Sequence, residues 1–339
     1  VKLDVIRVIT PGTVIESELL PDKRNNYLAS VYVSENGAGV CFADISTAQI
    51  KATRFEVSLF ENELLSEIST YSPSEIICNA DIAQLPLISE FASDRSILVT
   101  EAPDFFEKQA AQSAYRAHFG QPAREGFDNA VIAAGAAMGY IADTQKTDVG
   151  YIRDIELYEN SQYLEMDMST RRNLELCETM LTKDRKGSLL WVLDKTGTAM
   201  GARLLRNVIE HPLTNVKQIV SRQRSVSELV SNFVLREEIR STLGGVLDLE
   251  RLMTKIMYGT AGARELRAVA QTISVLPKIK EMLEGTESEE LSAIWDGIDE
   301  LSDVYQLIDS AIVDAPPFQV REGGMIRDGY DSGVDELRS

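Results

Sequence analysis

The chain predicts an α/β domain with a mixed sheet followed by an all-α domain. Three observations lead there. Compact apolar, β-branched runs separated by short turn signals occupy the region before residue 102. From Phe127 onward the apolar residues recur at helical spacing instead. A length of 339 residues is itself a prior for two domains.

Taken in order, Val5–Ile9 reads as a short strand broken by the turn signal Thr10-Pro11-Gly12. Tyr27–Val33 reads as a second strand turning through Asn36-Gly37. Gly39–Ile45 and Ile50–Phe55 follow, joined at Ser46-Thr47, which gives an antiparallel meander. A helix then places Leu64, Leu65 and Ile68 on one face. Glu75–Cys78 and Ser96–Thr100 are apolar runs separated by a helical length, the pattern of parallel strands. Phe105-Phe106-Glu107 reads as the start of an amphipathic helix.

Phe127, Val131, Ala134, Met138 and Ile141 continue as a helix whose small-residue segment, Ala133–Ala137, suits close packing. We place the domain boundaries at 1–142, 143–316 and 317–339. Asp143–Asp148 is the polar junction, and Tyr151–Met168 leaves room for strands. Helices are expected over 169–182, 198–211, 215–240, 246–258, 261–283 and 287–312. Thr286 and Glu289 fit a capping box, with Leu291, Ile294, Ile298 and Leu301 on the buried face behind it. Asp314-Ala315-Pro316-Pro317 closes this block, and a glycine-rich loop leads into a helix at the chain's end.

The composition, 44% hydrophobic and 26% charged, is that of an ordinary globular chain. No window approaches a membrane span, and no signal peptide precedes Val5. Acidic residues exceed basic ones by 53 to 34, a net charge of −19, so the chain should repel phosphate rather than grip DNA. Cys41, Cys78 and Cys177 form no CxxC pair and read as reduced, buried thiols. His118 and His211 share no ligand spacing, which argues against zinc. The first residue is Val and the last stretch stops in mid-pattern, which points to a piece of a longer protein.

The most informative stretch is Leu189–Leu213. An apolar run ends at Asp194, and Thr196 and Thr198 offer N-cap hydroxyls to a helix. Met200, Leu204, Leu205, Val208 and Ile209 recur at helical spacing, and Pro212 ends the element. Gly201 in the first turn predicts another element packed close to the helix backbone. The pattern Leu193-Asp194-x-Thr196-x-Thr198-x-x-Gly201-x-Arg203-Leu204-Leu205-Arg206 resembles the core of the MutS family of DNA mismatch-repair proteins. Thr170–Leu176 resembles the core's entry. Arg222-Gln223 with Val226 and Leu229, then Leu247–Leu252, resemble its next landmarks. Val8–Thr13 resembles the opening of the family's connector domain, and Arg321–Asp331 the approach to its lever helices.

The resemblance implies a ribonuclease-H-like connector followed by a helical core, with no catalytic, cofactor or metal site of its own. ATP and magnesium would belong to an ATPase domain outside this chain, and DNA would be held by other domains of a homodimeric bacterial, cytoplasmic, nucleoid-associated parent. A MutL-type partner would dock on the connector. Asp194, Thr196, Thr198, Gly201, Arg203, Arg206, Arg171 and Arg172 are the candidate structural or coupling residues. The arginines either bridge domains through bidentate carboxylate pairs or make routine salt bridges. Asn173 joins them if it is buried.

Two alternatives stand beside this. Asp44, helix acids such as Glu63 or Glu67, and Asp81 would converge on magnesium if the chain were a ribonuclease-H-like nuclease with a helical accessory domain. The competing reading has Asp44 bonding a turn and the helix acids facing solvent. MutS relatives of other pathways are disfavoured because connector-like and core-like blocks are both present. Phe105-Phe106-Glu107 superficially matches the family's mismatch-reading Phe-x-Glu, in the wrong place. Gly323-Gly324 lacks the Gly-Lys-Ser/Thr of a phosphate loop.

Overall fold

The computed structural model describes residues 7–56, 60–79, 85–120, 122, 124–146, 149–159 and 162–338. They divide into two compact units, Val1–Asp194 with Arg203–Pro212, and Lys195–Ala202 with Leu213–Ser339. The first unit thus runs well past residue 142.

In the first unit β1 (Leu28–Ser34), β2 (Gly37–Asp44) and β3 (Gln49–Phe55) form the antiparallel meander. β4 (Glu75–Cys78) lies parallel to β1, β5 (Leu98–Glu101) parallel to β4, and β6 (Glu156–Leu157) parallel to β3. Among the described residues the sheet order is β5-β4-β1-β2-β3-β6. The strands sort their side chains with period two. Val31, Val40, Phe42 and Ile76 pack with Leu64 and Ile68 of α1 (Phe60–Tyr71) and with Ile88 of α2 (Pro86–Arg95). Small residues on the opposite face admit α4 (Asp128–Gln145), which packs against β2 and β1 and also against α3 (Lys108–Phe119).

α4 is therefore apolar nearly all round rather than striped, as a helix enclosed on several sides must be. Two glycines make this possible. A Cβ at Gly39 of β2 would lie 2.2 Å from the Asn129 carbonyl carbon, and one at Gly135 of α4 would lie 1.9 Å from the Ala111 carbonyl oxygen. The backbones touch at both places, so only glycine fits. Glu107 accepts from the Ala110 amide at 2.7 Å and caps α3, as the helix-start reading of Phe105-Phe106-Glu107 expects.

The strand expected at Val5–Ile9 is not seen over residues 7–9, where Val8 and Ile9 are exposed; Val5 and Ile6 lie outside the described residues. The following turn is tightly held. Gly12 donates its amide to Glu75 Oε2 at 3.0 Å, the Tyr140 hydroxyl donates to Oε1 at 2.6 Å, and Gln145 donates to the Thr13 carbonyl at 3.1 Å.

α5 (Met168–Asn173) stops far short of residue 182, because Glu175 takes a left-handed conformation, φ 47°. The apolar run Leu189–Leu193 is a short helix, α6, and α7 spans Ala199–Glu210. The same helix supplies residues to both units, Ala199–Ala202 to the second and Arg203–Glu210 to the first.

The second unit is helical. The expected helix 215–240 is two, α8 (Val216–Ser231) and α9 (Phe233–Leu243), because Asn232 turns its side chain to cap Leu235. The expected helix 261–283 is α11 (Ala263–Ser274) and α12 (Leu276–Leu283), after α10 (Leu249–Met257). Pro277 in the first turn of α12 has no amide to continue α11. The last long helix divides into α13 (Glu289–Gly297) and α14 (Ser302–Ala311), with Leu301 at φ 50° between them. The Thr286 capping box does not form. Ser288 holds the cap position, and Glu228 of α8 accepts from the Glu287 and Ser288 amides at 2.8 and 2.9 Å. Ile294, expected to be buried, is 51% exposed. α15 (Ser332–Arg338) ends the described chain. Small apolar clusters hold this unit, one around Val269, Ile273 and Ile308, another around Ile279, Leu283 and Leu291.

Candidate functional site

The stretch Leu189–Leu213 begins with a stop. Asp194 withdraws its carboxylate to 2% exposure and accepts from Lys23 at 3.5 Å and from Arg185. Thr198 then caps α7, its hydroxyl accepting from the Gly201 amide at 3.0 Å. This cap explains Gly201. A Cβ there would meet Thr198 Oγ1 at 3.0 Å and the Thr196 side chain from 3.6 Å. The expected close approach of another element is absent at this position among the described residues; the crowding comes from the helix's own cap. Leu204, expected on the buried face, is 64% exposed.

The far half of α7 carries a polar cluster inside the first unit. Arg203 is 4% exposed and donates to the Asp22 carbonyl at 2.9 Å. Arg206 pairs with Glu210 one turn on, at 3.0 Å. Arg171 of α5 donates Nη1 to the Glu210 carbonyl at 2.6 Å and Nε to the Met166 carbonyl at 3.1 Å. Arg171 and Arg206 thus converge on one residue, Glu210, which the spacing of the arginines did not reveal. Burial holds the Glu210 carboxyl above the usual carboxylate range, with Arg206 acting against it. Burial, with the neighbouring Glu210 carboxylate, pushes the Cys177 thiol up. Arg172 and Asn173 are exposed and lie outside the cluster.

His211 completes the arrangement. Its ring lies 5.1 Å from that of Tyr71 and 5.2 Å from that of Tyr163, centroid to centroid. Nδ1 faces the Asn207 carbonyl at 3.2 Å, and burial lowers the pKa to about 4. Beside it Glu67 accepts from the Tyr158 hydroxyl at 2.5 Å, and burial pushes this carboxyl up too.

The nuclease constellation is not supported. Asp44 is fully buried, and both oxygens are used: Oδ1 accepts from the Ser46 amide and hydroxyl, Oδ2 from the Asn25 side chain and the Asn26 amide. This is the turn-bonding reading. Glu67 is bound to Tyr158, and Asp81 lies outside the described residues. No cluster of three ligating side chains gathers among the described residues. Cys41 and Cys78 are buried, and Cys177 is half-buried. No helix there is long and apolar enough to cross a membrane.

Comparison with known proteins places these elements. Residues 26–153 match the family model of MutS domain II, and residues 169–337 match that of MutS domain III. The chain belongs to the MutS family. It is 42% identical over 343 residues to the DNA mismatch repair protein MutS of Acetivibrio thermocellus, covering 100% of this chain and 39% of that protein. The MutS proteins of Ruminiclostridium cellulolyticum and Symbiobacterium thermophilum are 42% and 40% identical over 342 and 345 residues, each with the same two coverages. The chain therefore spans about two fifths of the length of these MutS relatives. The domain III match takes in α5, α7 and the helical unit, and the domain II match takes in the meander, β4, β5 and α4.

Proposed function

We propose that this chain is the connector and core of a MutS mismatch-recognition ATPase, and that its task is mechanical. It couples nucleotide state elsewhere in the parent to opening and closing of a DNA clamp, and it offers a connector surface to a MutL-type partner. The observation that carries this reading is the order of the two matched domains, with one helix of the second match, α7, supplying residues to both compact units. A rigid helix capped at its start and locked by Arg206, Glu210 and Arg171 at its end suits transmission, because coupling needs elements with discrete arrangements. The strand order, with an antiparallel meander flanked by parallel β4 and β5, supports a ribonuclease-H-like connector.

On this reading ATP and magnesium are held by another part of a homodimeric, cytoplasmic, nucleoid-associated parent, and DNA is gripped by other domains. Asp194, Thr196, Thr198, Gly201, Arg203, Arg206 and Arg171 shape the coupling element. Two measurements on the isolated chain test its non-catalytic role. Calorimetric titration with ATP and magnesium is expected to give no saturable heat. Gel shifts at physiological salt should show weak binding with no preference for a G·T mismatch, since the charge of −19 opposes phosphate contact. Micromolar ATP binding or a mismatch preference would contradict the proposal.

A further inference from the structure

We propose that the first unit carries a guanidinium-binding cleft, built to take an arginine side chain from an extended segment of a protein partner. The cleft lies between β3, α1 and the segment leading into α5, and has a volume of about 680 Å³. That is well beyond one side chain and within the range of sites that enclose ligands. Glu56, Glu63 and Glu165 line it, all three exposed and none paired with a basic side chain among the described residues. They face one another closely enough that Glu165 and Glu56 add to burial in holding the Glu63 carboxyl up.

The second observation is independent of this charge. His211 lines the same cleft at 7% exposure, and its Nε2 has no hydrogen-bond partner. With Nδ1 placed to donate to the Asn207 carbonyl, Nε2 is a bare, buried acceptor. The ring is neutral at physiological pH, so it does not repel a cation.

An acceptor, three carboxylates and the Tyr163 ring beside His211 call for a flat cation rich in donors, which a guanidinium is. The two arginines already in the cleft do not fill this role. Arg171 is spent on the Met166 and Glu210 carbonyls, and Arg54 sits 5.4 Å from the centre of the Phe127 ring. The carboxylates stand where solvent reaches them, so the arginine can arrive on a peptide. This assignment does not depend on the coupling role proposed above.

The test is calorimetric titration of the 339-residue chain with the peptide acetyl-Gly-Arg-Gly-Arg-Gly-amide. Saturable binding is expected, at least tenfold weaker when citrulline, the neutral isostere, replaces arginine. The surface pair Glu63→Gln/Glu165→Gln should weaken it at least tenfold, and the remote pair Glu281→Gln/Glu284→Gln by less than twofold. Nitrogen NMR should show the His211 Nε2 signal shift on binding, a change absent with the citrulline peptide. Equal binding of the citrulline peptide, equal loss in the remote pair, or no saturation would overturn the proposal. Free arginine amide binding as tightly as the peptide would overturn the partner assignment.

Discussion

Helices α4 and α7 both carry a glycine among small residues, and the two glycines exist for different reasons. Gly135 of α4 is needed because a neighbouring backbone, the Ala111 carbonyl of α3, occupies the space of its side chain. Gly201 of α7 faces only Thr198 and Thr196, side chains of its own N-terminal turn. The same residue type therefore marks a fused interior in one helix and a tight cap in the other. The units differ in the same sense. α4 is buried along most of its length against the sheet, whereas the second unit is held by small clusters and leaves Val216, Val230, Phe233 and Val234 more than half exposed.

Substitutions at the two glycines break the comparison most sharply. Gly135→Ala puts a methyl group into a backbone carbonyl, which no rotamer change relieves. We expect it to destabilise the first unit by about 3 kcal/mol or more, or to abolish folding. Chemical denaturation checks this, and a loss below 1 kcal/mol would mean that α3 and α4 separate easily.

The next largest effect is a pH dependence. His211 stays neutral in the folded chain down to about pH 4 but titrates near 6.5 when unfolded. The unfolded chain binds the extra proton between those values. The contribution of the neutral ring is intact above pH 6.5 and is lost as pH falls toward 4, about 3 kcal/mol in all. Glu67 and Glu210, with raised values, act in the opposite sense, but they are common to wild type and to His211→Phe. Denaturation between pH 7 and 4 should therefore show a shallower loss in His211→Phe. Parallel curves would contradict the burial argument.

Smaller effects are expected at the α7 cap. Thr198→Ala removes the hydroxyl that accepts from Gly201 and should cost about 1 kcal/mol. Gly201→Ala gains about 1 kcal/mol of helix propensity and loses a similar amount by pressing on that cap, so its stability should stay near wild type. A large loss would restore the close-neighbour explanation that the sequence invites.

The sheet was legible because its signals are local. The turn at Asn36-Gly37, the β-branched runs and the four residues Glu75–Cys78 each carry their own pattern. α4 was legible for the same reason, together with its small-residue segment. The helix breaks were harder, since Asn232 and Leu301 interrupt apolar spacing that runs through them unchanged. Pro277 is a visible breaker inside the expected helix 261–283, but the apolar spacing runs across it. The polar cluster was least legible. Arg171 and Glu210 are far apart in the chain, and what joins them is a bond to a backbone carbonyl, which leaves no trace in side-chain spacing. Glu228 capping α13 is hidden in the same way, because tertiary packing brings it to the amides of Glu287 and Ser288.

The most direct test of the proposed coupling role uses a full-length MutS protein carrying this chain and position 204, which lies in α7 two residues beyond Ala202, the last helix residue of the second unit. Leu204 is exposed, so Leu204→Ala removes little packing and serves as the control. Leu204→Gly loosens the helix there by about 1 kcal/mol without filling or emptying a core. Stopped-flow measurement of ATP-triggered release of mismatch-bound DNA is the decisive readout, with ATP hydrolysis recorded alongside. Hydrolysis is expected to stay within twofold of wild type while release slows severalfold in Leu204→Gly and not in Leu204→Ala. Release at the wild-type rate in Leu204→Gly would show that α7 does not carry the signal.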